Sequence, residues 1–122
     1  MPRKLGISPG ARVAALGAPP GFAERLDGAP LQARLRGSFD IIVLFAPSAA
    51  TLAKRLDAAV AALAPHGGLW ITWPKRSSGV ATDVDERLVR ETGLATGLVD
   101  NKVCAIDETW SGLRFVHRRE RP

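Results

Sequence analysis

The chain has one cysteine, Cys104, and no tyrosine. A lone cysteine excludes an internal disulfide, and there is no second thiolate to share a metal ion. Long apolar runs are also missing: none approaches the roughly 18 residues that a membrane-spanning helix needs, so no membrane partner is expected. The opening stretch "MPRKLGISPGARV" has cations but no apolar segment behind them, and no secretory signal is read there. Together these absences lead to the expectation of a soluble, cytoplasmic protein. Aromatic residues are scarce, with four Phe and three Trp. Nucleic-acid binders usually gather cations in a stripe and interleave aromatics. Here the net charge of +5 is dispersed: residues 1–40 and 41–80 each carry +3 and residues 81–122 carry −1, with one dense cluster in the tail "HRRERP". A solvated basic surface is the expectation, and nucleic acid is a disfavoured partner.

What is present is a globular chain. With 122 residues, 46% of them hydrophobic, it can bury a core and reads as a single domain over 1–122. Strand and helix signals alternate along it. "ARVAALG" (11–17) is a short apolar run ending in glycine, and "GAPPGFAERLDG" leaves room for one short helix with Phe22 and Leu26 on one face. "LQARLRG" (31–37) alternates like a half-exposed strand, and "FDIIVLFAP" (39–47) is apolar enough for a strand buried on both faces.

Ser48 is placed to cap a helix whose stripe is Leu52, Leu56, Val60 and Leu63, with Lys54, Arg55 and Asp57 off it. Pro65 and Gly67-Gly68 should end that helix. "LWITW" (69–73) reads as another buried strand. "TDVDERLVRETGLATG" reads as a helix capped by Thr82 with Asp85 three residues on, weakened by Gly93 and ended by Gly97. "NKVCAI" and "LRFVHR" flank "DETWSG" as a hairpin with a five- or six-residue connection. Strands joined through helices and closed by a hairpin predict a three-layer α/β sandwich with a mostly parallel six-stranded sheet.

In such sheets ligands bind at the carboxyl ends of the strands. Three loops should converge there: "GAPPGF", "APSAAT" and "PKRSSGVATD". The last supplies cations, hydroxyls and a flexible backbone. It suits either an anion site or a solvated turn. The candidate ligand contacts are Gly17 and Gly21, for close backbone approach, and Lys75, Ser77 and Ser78, for polar contact. A second candidate is the hairpin, where Asp107, Glu108, Trp110 and Arg114 form a possible interaction surface. Adjacent acids in a strand face opposite ways, so Asp107 and Glu108 are not an acid/base pair. Cys104 reads as a small core residue. Neither His66 nor His117 has a nucleophile or a metal ligand at a recognisable spacing, and no catalytic residue or metal site is assigned.

The string "LGAPPGF" (16–22) resembles the glycine-containing first motif of S-adenosylmethionine-dependent methyltransferases, and the order of elements resembles a shortened class I methyltransferase of Rossmann-like fold. With the hairpin signal, that resemblance implies that "LRFVHR" inserts between "LWITW" and "NKVCAI" as the antiparallel strand. The active members carry an acid just before the Leu-Gly, where this chain has Ala15. They carry a second at the end of the second strand, where this chain has "RLRGS" with Arg34 and Arg36. The strings "LFAPSAATLAKRL", "WITWPKRSSGVATDVDE" and "GLVDNKVCAIDETWSGLRFVHR" resemble a family of small bacterial proteins of unknown function. That resemblance implies the fold and brings no activity with it. The expectation is a Rossmann-like binding or interaction module without methyltransferase activity, whose ligand is an unidentified small molecule or protein and whose cofactor is unknown. The alternatives are a minimal methyltransferase-like enzyme and, behind it, a nucleic-acid accessory protein.

Overall fold

A seven-residue strand, Phe39–Phe45 (β3), sits at the centre of the molecule, with every side chain buried except that of Asp40. In the computed structural model, which describes residues 5–26 and 31–118, it lies in a six-stranded sheet. The other strands are Val13–Leu16 (β1), Leu31–Gln32 (β2), Leu63–Pro74 (β4), Leu98–Ala105 (β5) and Trp110–His117 (β6). Their order is β2-β1-β3-β4-β6-β5. The first four are parallel, and β6 runs antiparallel to both of its neighbours. The predicted insertion of "LRFVHR" is therefore what the sheet contains, and the architecture is a three-layer Rossmann-like sandwich of class I methyltransferase type. No helix among the described residues is long and apolar enough to cross a membrane.

Alternation along the strands divides the core in two. On one face Ile42, Leu44, Leu69, Ile71, Leu113 and Phe115 meet the helices Ala49–Ala61 (α1) and Glu86–Ala95 (α2) through Leu52, Leu56, Ala59 and Val89. On the other, Ile41, Val43, Phe45 and Trp70 are covered by Leu5, Phe22 and Ile106. Trp70 is fully buried, and its indole Nε1 donates to the Leu5 carbonyl at 3.0 Å, which fastens the N-terminal segment to the sheet. Each large apolar side chain buried in this way contributes about 1.5–3 kcal/mol.

Several element ends differ from expectation, each for a local reason. The helix α1 begins after Ser48, whose side chain accepts from the Thr51 amide, as predicted. It stops at Ala61, and Leu63 is already in β4, paired with Phe39. Pro65 and the two glycines lie inside an irregular first part of β4, where the register against β3 shifts between Phe39 and Ile41. The strand expected over 31–37 shortens to Leu31–Gln32. The Arg12 guanidinium takes the carbonyls of Arg36 (2.7 Å) and Ser38 (2.8 Å) and stacks 4.5 Å over the Phe39 ring, so those carbonyls hold a loop and not a ladder. The short helix near Phe22 is a 3-10 turn, Ala23–Leu26. The face shared by Phe22 with Leu26, the tail beyond residue 118 and the cations Arg3 and Lys4 lie outside what is described.

The cap of α2 is Asp85, which accepts from the Leu88 amide at 2.8 Å. Thr82 instead donates to the Pro47 carbonyl (2.7 Å). Asp83 accepts from the Ala49 amide (2.8 Å), so it serves the start of α1. The hairpin connection is four residues long, 106–109.

Gly93 is not a weak point in α2. A Cβ there would fall inside the Phe115 ring, so the glycine is what lets α2 approach β6 closely. In an exposed helix Gly→Ala stabilises by about 1 kcal/mol. At this position the sign should reverse: Gly93→Ala should destabilise by about 1–3 kcal/mol through overpacking. Urea denaturation would check this, and Phe115→Leu in the same chain should recover part of the loss. An alanine variant as stable as the parent would mean that α2 shifts freely over the sheet.

Candidate functional site

Parallel strands fix the carboxyl edge of the sheet. β1 ends at Leu16, β3 at Phe45 and β4 at Pro74, and β6 starts there at Trp110. Gly17 and Gly21 both have the left-handed backbone that favours glycine, with φ of 70° and 87°. The loop they bracket folds Phe22 under the sheet edge, where its ring meets Phe45 edge-on at 4.9 Å, and Phe45 meets Trp110 at 5.0 Å. Such aromatic pairs stabilise beyond their area, by about 0.5–1.5 kcal/mol. Trp110 is therefore half in the core, as a cover for the edge.

Gly17 has a neighbour that sequence reading overlooked. A Cβ at this position would fall 2.5 Å from Nη1 of Arg55, so the half-buried Arg55 side chain reaches from α1 to the glycine loop. No described residue accepts a hydrogen bond from it. Arg55 sits off the apolar stripe of α1, and nothing in the local sequence separates it from a solvated surface cation. Only the packing of α1 against β3 aims it at the end of β1.

The loop after β4 is a built corner. Residues Arg76–Ser78 form a 3-10 turn closed by Gly79 at φ 76°. The Ser78 hydroxyl donates to the Lys75 carbonyl at 2.6 Å and accepts from the Val80 amide at 3.2 Å, and the Lys75 amide donates to the Thr109 carbonyl at 2.7 Å. Ser78 therefore spends its hydroxyl on the turn. Ser77 is exposed and Lys75 half-buried. Lys75 stands two strand spacings from Gly17, about 10 Å across the sheet. The Asp83 carboxylate on the Ala49 amide puts negative charge at the start of α1 and disfavours an anion there.

The hairpin residues separate. Asp107 Oδ1 accepts from the amides of Thr109 (2.7 Å) and Trp110 (2.8 Å), which shapes the turn, and Glu108 is exposed. Arg114 lies four residues along β6, about 13 Å away toward the other end of the sheet. The structure does not bring it together with Trp110. His66 is also at that far end, lining cavities with Arg114, and Cys104 packs half-buried against the second face. Among the described residues no cluster of His, Cys, Asp and Glu could hold a metal ion.

No family model matches the chain, and no curated protein matches it. Solved structures do. The ribosomal protein L11 methylase of Lactobacillus delbrueckii subsp. bulgaricus aligns over 96% of this chain and 74% of its own, with TM-score 0.64 and 14% identity. Magnesium protoporphyrin IX methyltransferase of Synechocystis PCC 6803, solved with SAM bound, aligns over 90% and 71%, with TM-score 0.61 and 12% identity. A methyltransferase of Pyrococcus furiosus aligns over 85% and 61%, with TM-score 0.52 and 16% identity. At these identities the likeness establishes the fold of the SAM-methyltransferase superfamily; the resemblance to one small bacterial family is not carried by it.

The expectation of a module without methyltransferase activity is corrected on this ground. The three proteins named above are methyltransferases, one of them with SAM in place. The acid expected at the end of the second strand remains absent. The second strand does not end in arginines: it ends at Gln32, while Arg34 and Arg36 are exposed in the loop that follows.

The Asp83 contact yields a prediction. Asp83→Ala removes a carboxylate from the start of α1 and should cost about 1 kcal/mol. Faster hydrogen exchange at the Ala49 amide should accompany that loss. An unchanged exchange rate would mean that Ser48 alone holds the helix start.

Proposed function

We propose that this chain binds S-adenosylmethionine along the carboxyl ends of β1, β2 and β3 and belongs functionally with the methyl-transferring enzymes whose fold it shares. The observation that carries this reading is the Arg55 guanidinium, half-buried against Gly17 and without an acceptor among the described residues. A guanidinium offers five donors in a planar fork suited to a carboxylate. The cofactor's amino-acid end carries such a carboxylate.

The residues present fit the group in three respects. Gly21, with a left-handed backbone and nothing within 4 Å of where a Cβ would stand, gives the loop after β1 a backbone that a ligand can approach closely, and Gly17 lets Arg55 reach that loop. Arg55 answers a carboxylate. Gln32, exposed at the end of β2, offers both a donor and an acceptor to sugar hydroxyls, in place of the acid expected from the resemblance. When bound, the cofactor supplies an electrophilic methyl group. The chain's part is to orient it: the glycine loop sets the backbone, and the Phe22–Phe45–Trp110 stack keeps the edge beneath it rigid and dry.

Calorimetry with S-adenosylmethionine and its demethylated product tests this directly. The parent protein should bind the product with a micromolar dissociation constant. Arg55→Gln should weaken binding about tenfold, or 1.4 kcal/mol, with an unchanged melting temperature. No heat at millimolar ligand with folded parent protein would overturn the reading, and full affinity in the Arg55 variant would remove the argument that carries it.

A further inference from the structure

The amino end of the sheet holds a second unpartnered arginine. Arg114 projects from β6 across the start of β4, where a Cβ on Gly68 would fall 2.5 Å from its Nε. A Cβ on Gly67 would in turn lie 2.9 Å from the Asp40 carbonyl and 3.0 Å from that of Phe39. Gly68 therefore leaves room for this side chain, while Gly67 lets β4 pass close to the β3 backbone. No described residue accepts a hydrogen bond from Arg114, and burial pulls its pKa down from the usual arginine value. A half-buried guanidinium with no protein acceptor keeps its donors available to water or to a ligand.

Two adjoining cavities open beside it, of about 540 and 370 Å³, and Arg114 and His66 line both. The larger also has His117 and Asn101 in its wall. His66 and Asn101 are exposed, and His117 is half-buried with Nε2 3.4 Å from the Leu63 carbonyl. The larger cavity is thus rich in donors and lacks a carboxylate in its lining. The smaller one has Asp40, whose Oδ2 accepts from the Arg12 amide at 2.8 Å, together with Ser8. Volumes of this order are those of small-molecule sites, roughly 300–1,000 Å³.

We propose that Arg114, His66 and His117 form a phosphate-binding site at the amino edge of the sheet, opposite the Gly17 loop. A tetrahedral anion with several terminal oxygens can accept from a guanidinium fork and from two imidazoles and an amide at once. A carboxylate, with two oxygens in one plane, would leave donors idle. The phosphate belongs in the larger cavity, since the Asp40 carboxylate repels it from the smaller one. That second cavity takes the neutral, hydroxyl-bearing part of the same ligand, with Asp40 as acceptor. The site is independent of the proposed cofactor edge, so either can fail without the other.

The test is a titration of isotopically labelled full-length protein with inorganic pyrophosphate and with adenosine monophosphate, followed by NMR at the Arg114 Nε–H and the two imidazoles. Saturable shifts at these groups are expected. Arg114→Gln should weaken binding about tenfold or more, and His66→Gln, at an exposed position that folding does not need, should weaken it severalfold. A 5′-hydroxyl oligonucleotide, which has only internal phosphodiesters, separates the two sources of phosphate. If only the mononucleotide competes with pyrophosphate, the ligand is a small phosphate ester. That outcome supports the site. If the oligonucleotide competes equally well, two non-bridging oxygens suffice and the terminal-phosphate site is overturned. Absence of saturable shifts at Arg114 and His66, or equal affinity in the two folded variants, would overturn it.

Discussion

A strand buried on both faces must be sandwiched, and β3 imposes that condition on everything else. Ile41 through Phe45 are all almost without exposure, so both sides of the strand need a covering layer. Its backbone polar groups must also be met inside the protein, because water cannot reach them. β1 and β4 meet them in parallel register on either side. Parallel pairing needs long crossovers, and the crossover from β3 to β4 is α1. From that follow the shared edge for the loops after β1, β3 and β4, and the position of α1 above β3, from which Arg55 reaches Gly17.

Arginines mark the contrasts within this frame. Arg12 and Arg90 are fully engaged: Arg12 holds two carbonyls and a phenyl ring, and Arg90 bridges Glu86 and Asp100, which ties α2 to β5. These close loops and helix ends. Arg55 and Arg114 are placed differently. Each lies over a glycine, at opposite ends of the sheet, and each keeps its donors unmatched among the described residues. Packing a guanidinium onto a bare backbone takes it partly out of water while giving it no acceptor. Beside Arg114 two cavities open as well. This is the physical reason both positions are read as sites, while the hydroxyls and cations of the loop after β4 are read as a turn.

The alternation of apolar runs and amphipathic stretches was enough to establish the strands and the layered α/β class, because burial on two faces and right-handed crossovers leave few arrangements, while the antiparallel insertion of β6 came from the hairpin signal together with the resemblance to class I methyltransferases. Ser48 as a cap, Gly97 as a helix end and the glycine loop after β1 were legible for the same reason: each is a local backbone requirement met by a local residue. The ends of β2, α1 and β4 were not, because they are decided by partners far along the chain, as Arg12 does for the carbonyls of Arg36 and Ser38 and Phe39 does for Leu63. Thr82 and Asp83 read locally as the start of α2, yet they serve Pro47 and Ala49, thirty-four and more residues away. Gly93 reads as a defect in a helix, and it is a contact with Phe115. The sequence by itself determined the layers and which loops share the carboxyl edge of the sheet, since those follow from hydrophobic period and chain direction. Which arginines stand there without partners was left to the tertiary structure, because a charge is free or engaged only with respect to neighbours that the fold brings to it.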